Sequence, residues 1–335
     1  MATNKSSKVN VPILFSFSIL IFISVFAASI FIGSVHISFG DVIDGLMGKG
    51  DNAVIIRSLR VPRAIGSVIC GAALATAGLL LQSATSNELC APNIIGINSG
   101  AGFAVMVLTC FFPNAHYMLS PISFIGALCA TAIVMGISVS NKNTFTRSGI
   151  VLSGVAVSAF FSAGVSFLSL RFPDALPSYT AFSVGGLSGV YFEDILPVIA
   201  PILILILFSF LISQKLNLLY LGDESAMSLG VNTKRLRVII IIIAAALSAL
   251  SVSFAGLIGF VGLIVPHISR RIAGHDNRIL IPLSALIGGT LVTLADILGR
   301  VVFAPGEIPC GIFLSALGAP FFLFLLISRR GGTRT

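Results

Sequence analysis

From Val11 to Gly33 the chain carries no charged side chain, and stretches of the same kind recur along its whole length. No soluble domain could bury so many of them. Of the 335 residues, 56% are hydrophobic and only 10% are charged, against about 25% charged in soluble domains. Too little polar surface is left to face water, so the surrounding medium is a bilayer. In hydrocarbon every backbone N–H and C=O must be paired internally, which leaves helices and closed barrels. Barrel strands alternate in polarity over about ten residues, whereas these runs are long and continuous. The expected fold is therefore all-α, in a single transmembrane domain covering 1–335.

Ten spans are predicted, at 11–33, 62–83, 93–112, 118–140, 148–170, 194–213, 237–254, 257–272, 279–299 and 308–327. The first exceeds the ~7–15-residue core of a signal peptide and reads as a retained span. The eighth follows the seventh almost directly and contains Gly256, Gly259, Gly262 and Pro266. Such a segment fits a half helix or re-entrant turn, tolerated only where protein or a cavity surrounds it. Small-residue runs, CGAALATAG at 70–78 and GINSGAG at 96–102, let helix backbones approach closely.

Orientation follows from Lys and Arg. With both ends inside, inner loops hold Lys5, Lys8, Lys142, Arg147, Lys215, Lys234, Arg235, Arg237, Arg270, Arg271, Arg278, Arg329, Arg330 and Arg334. Those fourteen face six outside: Lys49, Arg57, Arg60, Arg63, Arg171 and Arg300. The positive-inside rule accounts for the bias and for the net charge of +8 without any nucleic acid. One exception stands out. Three outer arginines crowd into RSLRVPR at 57–63.

Enzymatic chemistry is not expected. There is no G-x-x-x-x-G-K-[ST] to cradle nucleotide phosphates and no H-E-x-x-H. His36, His116, His267 and His275 are isolated, and the five cysteines lack metal-ligand spacing, so no catalytic or metal-binding residue is assigned. Charge within the spans is almost confined to Asp296, four residues before Arg300 and thus on the same helix face. A proton-coupled carrier could use such an acid as a relay, and that class stays as a distant alternative.

The polar patch LGDESAMSLGVNTKRLR at 221–237 interrupts two very apolar segments on the inner side. Asp223 and Glu224 suit the first turn of a short helix and Gly230 its stop. By physics alone this is an ordinary solvated loop helix. Its wording, however, resembles the coupling-helix region of ABC importer permeases for iron-siderophores, haem and cobalamin. RVPRAIGSVICGAALATAGLLLQ (60–82), NELCAPNIIGINSGAG (87–102), GLIGFVGLIVPHISRRIAGHDNRILIPLSALIGG (256–289), LADILGR (294–300) and EIPCGIFLSALGAPFF (307–322) resemble that family's motifs in order. Glu88 and Cys90 depart from its usual Pro and Ala, which leaves the local turn geometry open, and Ser315 from its usual Thr.

The resemblance implies a ten-span type II importer permease in a prokaryotic cell membrane. It would be paired with a second permease subunit (identical or a paralogue), two ATPase subunits and an extracytoplasmic binding protein. The permease would bind no cofactor; ATP and Mg would be used by the partner ATPase. The cargo implied is a metal chelate, foremost a ferric siderophore, with cobalamin, haem or an oxyanion as alternatives. Leu221, Gly222, Asp223, Glu224, Ala226, Leu229, Gly230 and Val231 would couple to the ATPase. Arg60, Arg63 and Arg300 would dock acidic residues of the binding protein; from the residues alone they are equally snorkelling anchors at helix ends. Asn98, Ser99 and Gly100 are candidates for the translocation path.

Single cysteines placed at Asp51, Ser178 and Thr335 in a cysteine-free background test the orientation. A membrane-impermeant thiol reagent added outside should label the first two and leave the third untouched; external labelling at 335 would overturn the ten-span arrangement.

Overall fold

The computed structural model describes residues 10–140 and 147–330. The inner-side charges Lys5, Lys8, Lys142 and Arg334 and the labelling position Thr335 lie outside them. The helices in chain order are α1 (Val11–Phe31), α2 (Phe39–Leu46), α3 (Val61–Thr85), α4 (Ile97–Phe111), α5 (Leu119–Ser140), α6 (Arg147–Arg171), α7 (Leu176–Val184), α8 (Phe192–Leu211), α9 (Ser213–Leu219), α10 (Asp223–Ser228), α11 (Thr233–Ala255), α12 (Val261–Ala273), α13 (Asn277–Val301) and α14 (Cys310–Arg330). A π-helical turn, Ile55–Arg60, runs straight into α3. No strand occurs among the described residues.

Each expected span has its helix: α1, α3, α4, α5, α6, α8, α11, α12, α13 and α14. Among the described residues, seven helices are long and apolar enough to cross a bilayer by themselves. α12 is not, at 13 residues, or roughly 20 Å at 1.5 Å per residue, against a hydrocarbon core of about 30 Å. The half-helix expectation is met. The non-helical stretch before it is paired by protein: Leu257 N donates to Phe182 O at 3.0 Å and Gly186 N to Ala255 O at 2.9 Å. The amphipathic α2 and the short α7 on the outer side were not foreseen, because at 8 and 9 residues neither is long enough to read as a span.

α3 is the central element, buried along nearly its whole length against α11, α12 and α13. The reason is in CGAALATAG. A Cβ on Gly71 would fall 2.1 Å from Gly288 O of α13, and one on Gly78 only 1.9 Å from Gly262 O of α12. Backbones therefore touch directly, the way membrane helices associate when apolar burial gives no preference. Gly100 and Gly126 do the same between α4 and α5.

Gly78→Ala should lower the thermal midpoint of the detergent-solubilised protein, by an overpacking cost of about 1–3 kcal/mol. Gly136→Ala is the control, since nothing lies within 4 Å of its added methyl; it should leave the midpoint unchanged or slightly raised. Equal midpoints for the two variants would contradict the backbone-contact account.

Candidate functional site

Charged side chains gather at the two ends of α3. At the outer end Arg60 and Arg63 come together with Arg300, far off in sequence, and Arg63 and Arg300 share one acid. Arg63 reaches both carboxylate oxygens of Asp296 at 2.9–3.0 Å. Arg300 Nη2 lies 3.1 Å from Asp296 Oδ2, off the hydrogen-bond direction, so that contact is coulombic. Two of the three arginines also cap the C-terminal end of α1, whose last carbonyls have no helical partner. Arg60 donates to Ile30 O, Phe31 O and Val35 O at 3.0, 3.0 and 2.6 Å, and Arg300 to Ser29 O and Ile32 O at 2.9 and 3.0 Å.

Glu307, in the loop between α13 and α14, completes the cluster. It accepts from Arg63 Nη1 at 2.7 Å, Ser34 Oγ at 2.8 Å and Ser188 Oγ at 3.3 Å. Burial alone would raise its carboxyl. The hydrogen bond and charge of Arg63, with the two serines, outweigh burial and hold it below the ordinary range. Three arginines against two acids leave the group with one net positive charge. A cavity of about 290 Å³ opens onto it, lined among others by Arg60, Arg63, Arg300, Ser188 and Glu307.

The sequence reading of these arginines as helix-end groups on the outer face is thus refined. Arg60 and Arg300 are buried, at 6% and 2% exposure, because the α1 carbonyls need them. Arg63 is the one that solvent partly reaches, with 12% of its side chain exposed. Arg57, the remaining arginine of the cluster in sequence, is exposed.

At the inner end, α9 and α10 project the polar patch. The turns on either side of α10 contain Gly222 at φ +94° and Gly230 at φ +81°, backbone shapes that favour glycine. Ala226 faces the body and is buried, and Val231 packs against the core. Leu221, Asp223, Glu224, Leu229 and Gly230 are exposed and Gly222 is half-buried. Met227, which sequence reasoning passed over, adds to the exposed apolar surface with Leu221 and Leu229, each more than half exposed.

Two buried arginines support this patch from behind. Arg237 of α11 bonds Asp223 Oδ1 at 2.5 Å and the carbonyl of Ala84 in the last turn of α3. Arg270 of α12 bonds Gln82 Oε1, and Gln82 Nε2 donates to Gly262 O at 3.2 Å. Tyr220 and Ser83 share a hydrogen bond at 3.1 Å. Asn217 of α9 bonds both Asp276 and Asn277 at the start of α13. Hydrogen bonding from Arg278 is the main cause that brings the Asp276 carboxyl down to about 2, opposed by partial burial and aided by Asn217. Sequence reasoning saw Arg237 and Arg270 only as inner-side charges; nothing in spacing reveals that both fold back into the protein.

The third candidate group lies in the first turn of α4, facing α5 and α6. Gly100 is in the α4–α5 contact, where an added Cβ would sit 2.4 Å from Ala130 Cβ. Ser99 Oγ bonds Gly96 O at 2.9 Å and Ser158 Oγ of α6 at 3.2 Å. Asn98 is half-buried. The departures from the family pattern are accommodated. Ser86 takes a left-handed conformation (φ 49°) and Leu89 N donates to Asn87 Oδ1 at 3.0 Å, turning the chain without a proline. Glu88 lies 3.9 Å from His275, and Cys90 is buried. No group of three or more His, Cys, Asp or Glu is placed to hold a metal ion among the described residues.

Residues 19–328 match the model of the FecCD transport family. The chain belongs to the FecCD transport family. A relative from Bacillus subtilis (strain 168), the Fe(3+)-citrate import system permease protein YfmE, is 38% identical over 97% of both chains. The cobalamin import system permease protein BtuC of Halobacterium salinarum is 36% identical over 82% of this chain and 74% of its own. A solved structure described as an inward-facing conformation of a metal-chelate type ABC transporter superposes with a TM-score of 0.82. It is 30% identical and covers 95% of this chain and 99% of that one. This FecCD member is accordingly an ABC permease with the type II importer fold.

Asp296→Asn would remove the acid shared by Arg63 and Arg300 and leave two buried guanidiniums facing each other. Breaking a buried pair costs about 3–5 kcal/mol, so the membrane-inserted yield and detergent thermal midpoint should both fall sharply. Glu307→Gln, at a side chain 25% exposed, should cost much less. Equal stability of Asp296→Asn and wild type would show that the cluster is not what holds the outer end.

Proposed function

We propose that this FecCD permease moves a ferric chelate inward as one of two permease subunits, driven by ATP hydrolysed, with Mg, on two separate ATPase subunits. The observation that carries this reading is the full-length likeness to an Fe(3+)-citrate permease. The exposed α10 segment supports the division of labour, since a chain without a phosphate-binding loop needs a handle for its motor. Ferric citrate or ferric hydroxamate is the first choice of cargo. Cobalamin is the second reading, favoured by the halobacterial relative; haem and oxyanions have no specific observation behind them. The seat is a prokaryotic cell membrane, with a binding protein delivering cargo from outside.

A proton-coupled carrier is disfavoured. The buried acid such a carrier would use, Asp296, is already taken up as the shared partner of Arg63 and Arg300, where it holds α3 and α13 together.

Docking of an acidic binding protein falls to the outer cavity and above all to Arg63. Arg60 and Arg300 act there as buried positive charge. Arg63→Glu should slow association with the binding protein and raise its Kd by tenfold or more, since interfacial pairs can couple by about 1.5–7 kcal/mol. Arg57→Glu, on the exposed rim, should change it less than about fivefold. For cargo, proteoliposomes holding the permease, its ATPase and its binding protein should take up ferric citrate or ferric hydroxamate only with ATP inside. Uptake that persists with a hydrolysis-dead ATPase would defeat the ATP-driven reading, and uptake of cobalamin alone would replace the cargo.

A further inference from the structure

We propose that Arg237 is the strut that transmits movement of the α10 segment to α3, a positioning residue for transport. This rests on α10 being the ATPase-coupling segment.

The covalent connections of α10 are poorly suited to transmit force. Both its flanking turns contain a positive-φ glycine, Gly222 and Gly230, with nothing within 4 Å of a would-be Cβ, so the backbone is unsupported at those two points. Six residues make barely two turns of helix, and only Ala226 is buried. The Asp223–Arg237 pair at 2.5 Å ties α10 sideways to the membrane body. Asp223 is the first residue of α10, and Arg237 is 5% exposed.

The other arm of the same guanidinium bonds Ala84 O, a carbonyl in the last turn of α3 that lacks a helical donor. Its planar, forked geometry is what lets one side chain hold both partners at once; a lysine ammonium is a point charge on a flexible stem. From Ala84 the route follows α3, 25 residues and roughly 37 Å long in all, to Arg60 and Arg63 at the outer cluster. Its glycine contacts with α12 and α13 admit no slack. A displacement of α10 thus has a short, rigid route to the element that carries the outer arginines.

If Arg237 only capped α3, the Asp223 arm would be dispensable. The test is a double-mutant cycle, Asp223→Ala, Arg237→Ala and both, in the assembled complex with its ATPase and binding protein. Two quantities are read: the amount of ATPase that copurifies, and the fold stimulation of ATP hydrolysis by the binding protein, which needs no knowledge of the cargo. Each single variant should retain its ATPase and lose most of the stimulation, about fivefold or more. The double variant should be no worse than the poorer single one, because the two side chains act as a unit. Asp223→Glu should recover much of the loss and Arg237→Lys little.

Normal stimulation in Asp223→Ala, or losses that multiply in the double variant, would overturn the strut. So would loss of the ATPase in Asp223→Ala, which would make Asp223 a docking contact instead. Should Arg237→Ala fail to insert, Asp223→Ala decides alone, since its side chain is 47% exposed and it leaves the cap on Ala84 in place. The underlying reading fails separately: Leu221→Asp with Leu229→Asp must abolish ATPase copurification, and if it does not, α10 is not the coupling segment.

Discussion

A carboxylate in hydrocarbon must find cations, and Asp296 finds two. Around that requirement the outer half of the molecule is organised. Asp296 sits one turn from Arg300 on α13 and faces Arg63 on α3, so satisfying it fixes the facing of those two helices. The arginines it neutralises, joined by Arg60, then have donors to spare. Arg60 and Arg300 direct theirs to the open carbonyls that end α1, which draws a third helix into the same cluster. Remove the acid and three helix ends lose their common anchor. Desolvation makes such a group costly to form and more costly to break, which is why it favours one arrangement over looser ones.

The second constraint is distance. With no apolar drive to separate helix from lipid, α3 gains its central place by bringing its backbone against α12 and α13 at Gly78 and Gly71. Contact at that range leaves little room for side chains to adjust. Charged groups are accordingly kept to the two ends of the helix, its own Arg63 at the outer end and, at the inner end, Arg237 and Arg270 reaching in from α11 and α12. A packed bar with charged ends is a different object from the amphipathic helix of a soluble domain. The short α12 and the non-helical stretch before it survive beside it because their amides are paired by the protein.

Much of this was legible in the sequence, for unequal reasons. The spans, including the short eighth, follow from the lengths of apolar runs, which the bilayer dictates directly. The glycine contacts were foreshadowed by CGAALATAG and GINSGAG, Gly100 of the second motif packing against α5. The Asp296–Arg300 pair came from i,i+4 spacing on one helix. What could not be read was the company those residues keep. Arg63 and Asp296 are 233 positions apart, and no periodicity links them. Arg60 and Arg300 looked like surface groups because their partners are backbone carbonyls of α1, which every residue possesses and no motif marks. Arg237 hid for the same reason, one of its two partners being a main-chain oxygen.

The hold on Glu307 has a consequence of its own. Its carboxylate already occupies the accessible side of Arg63, steadied by hydroxyls from two other loops. Any anionic group arriving from outside must therefore exchange with a resident acid and cannot simply add to an empty cation. Exchange of like for like moves little net charge, so its free energy is small in either direction and the contact is easily reversed. Because the Glu307 carboxyl is held below its ordinary value, mild acidity does not discharge this internal rival. The competition lapses only once the pH has fallen through that lowered value, and with it goes the stabilisation the Glu307 pair contributes above the ordinary carboxylate range. A membrane protein whose outer face meets a mildly acidified medium would thus keep Arg63 paired with Glu307 as it is at neutrality.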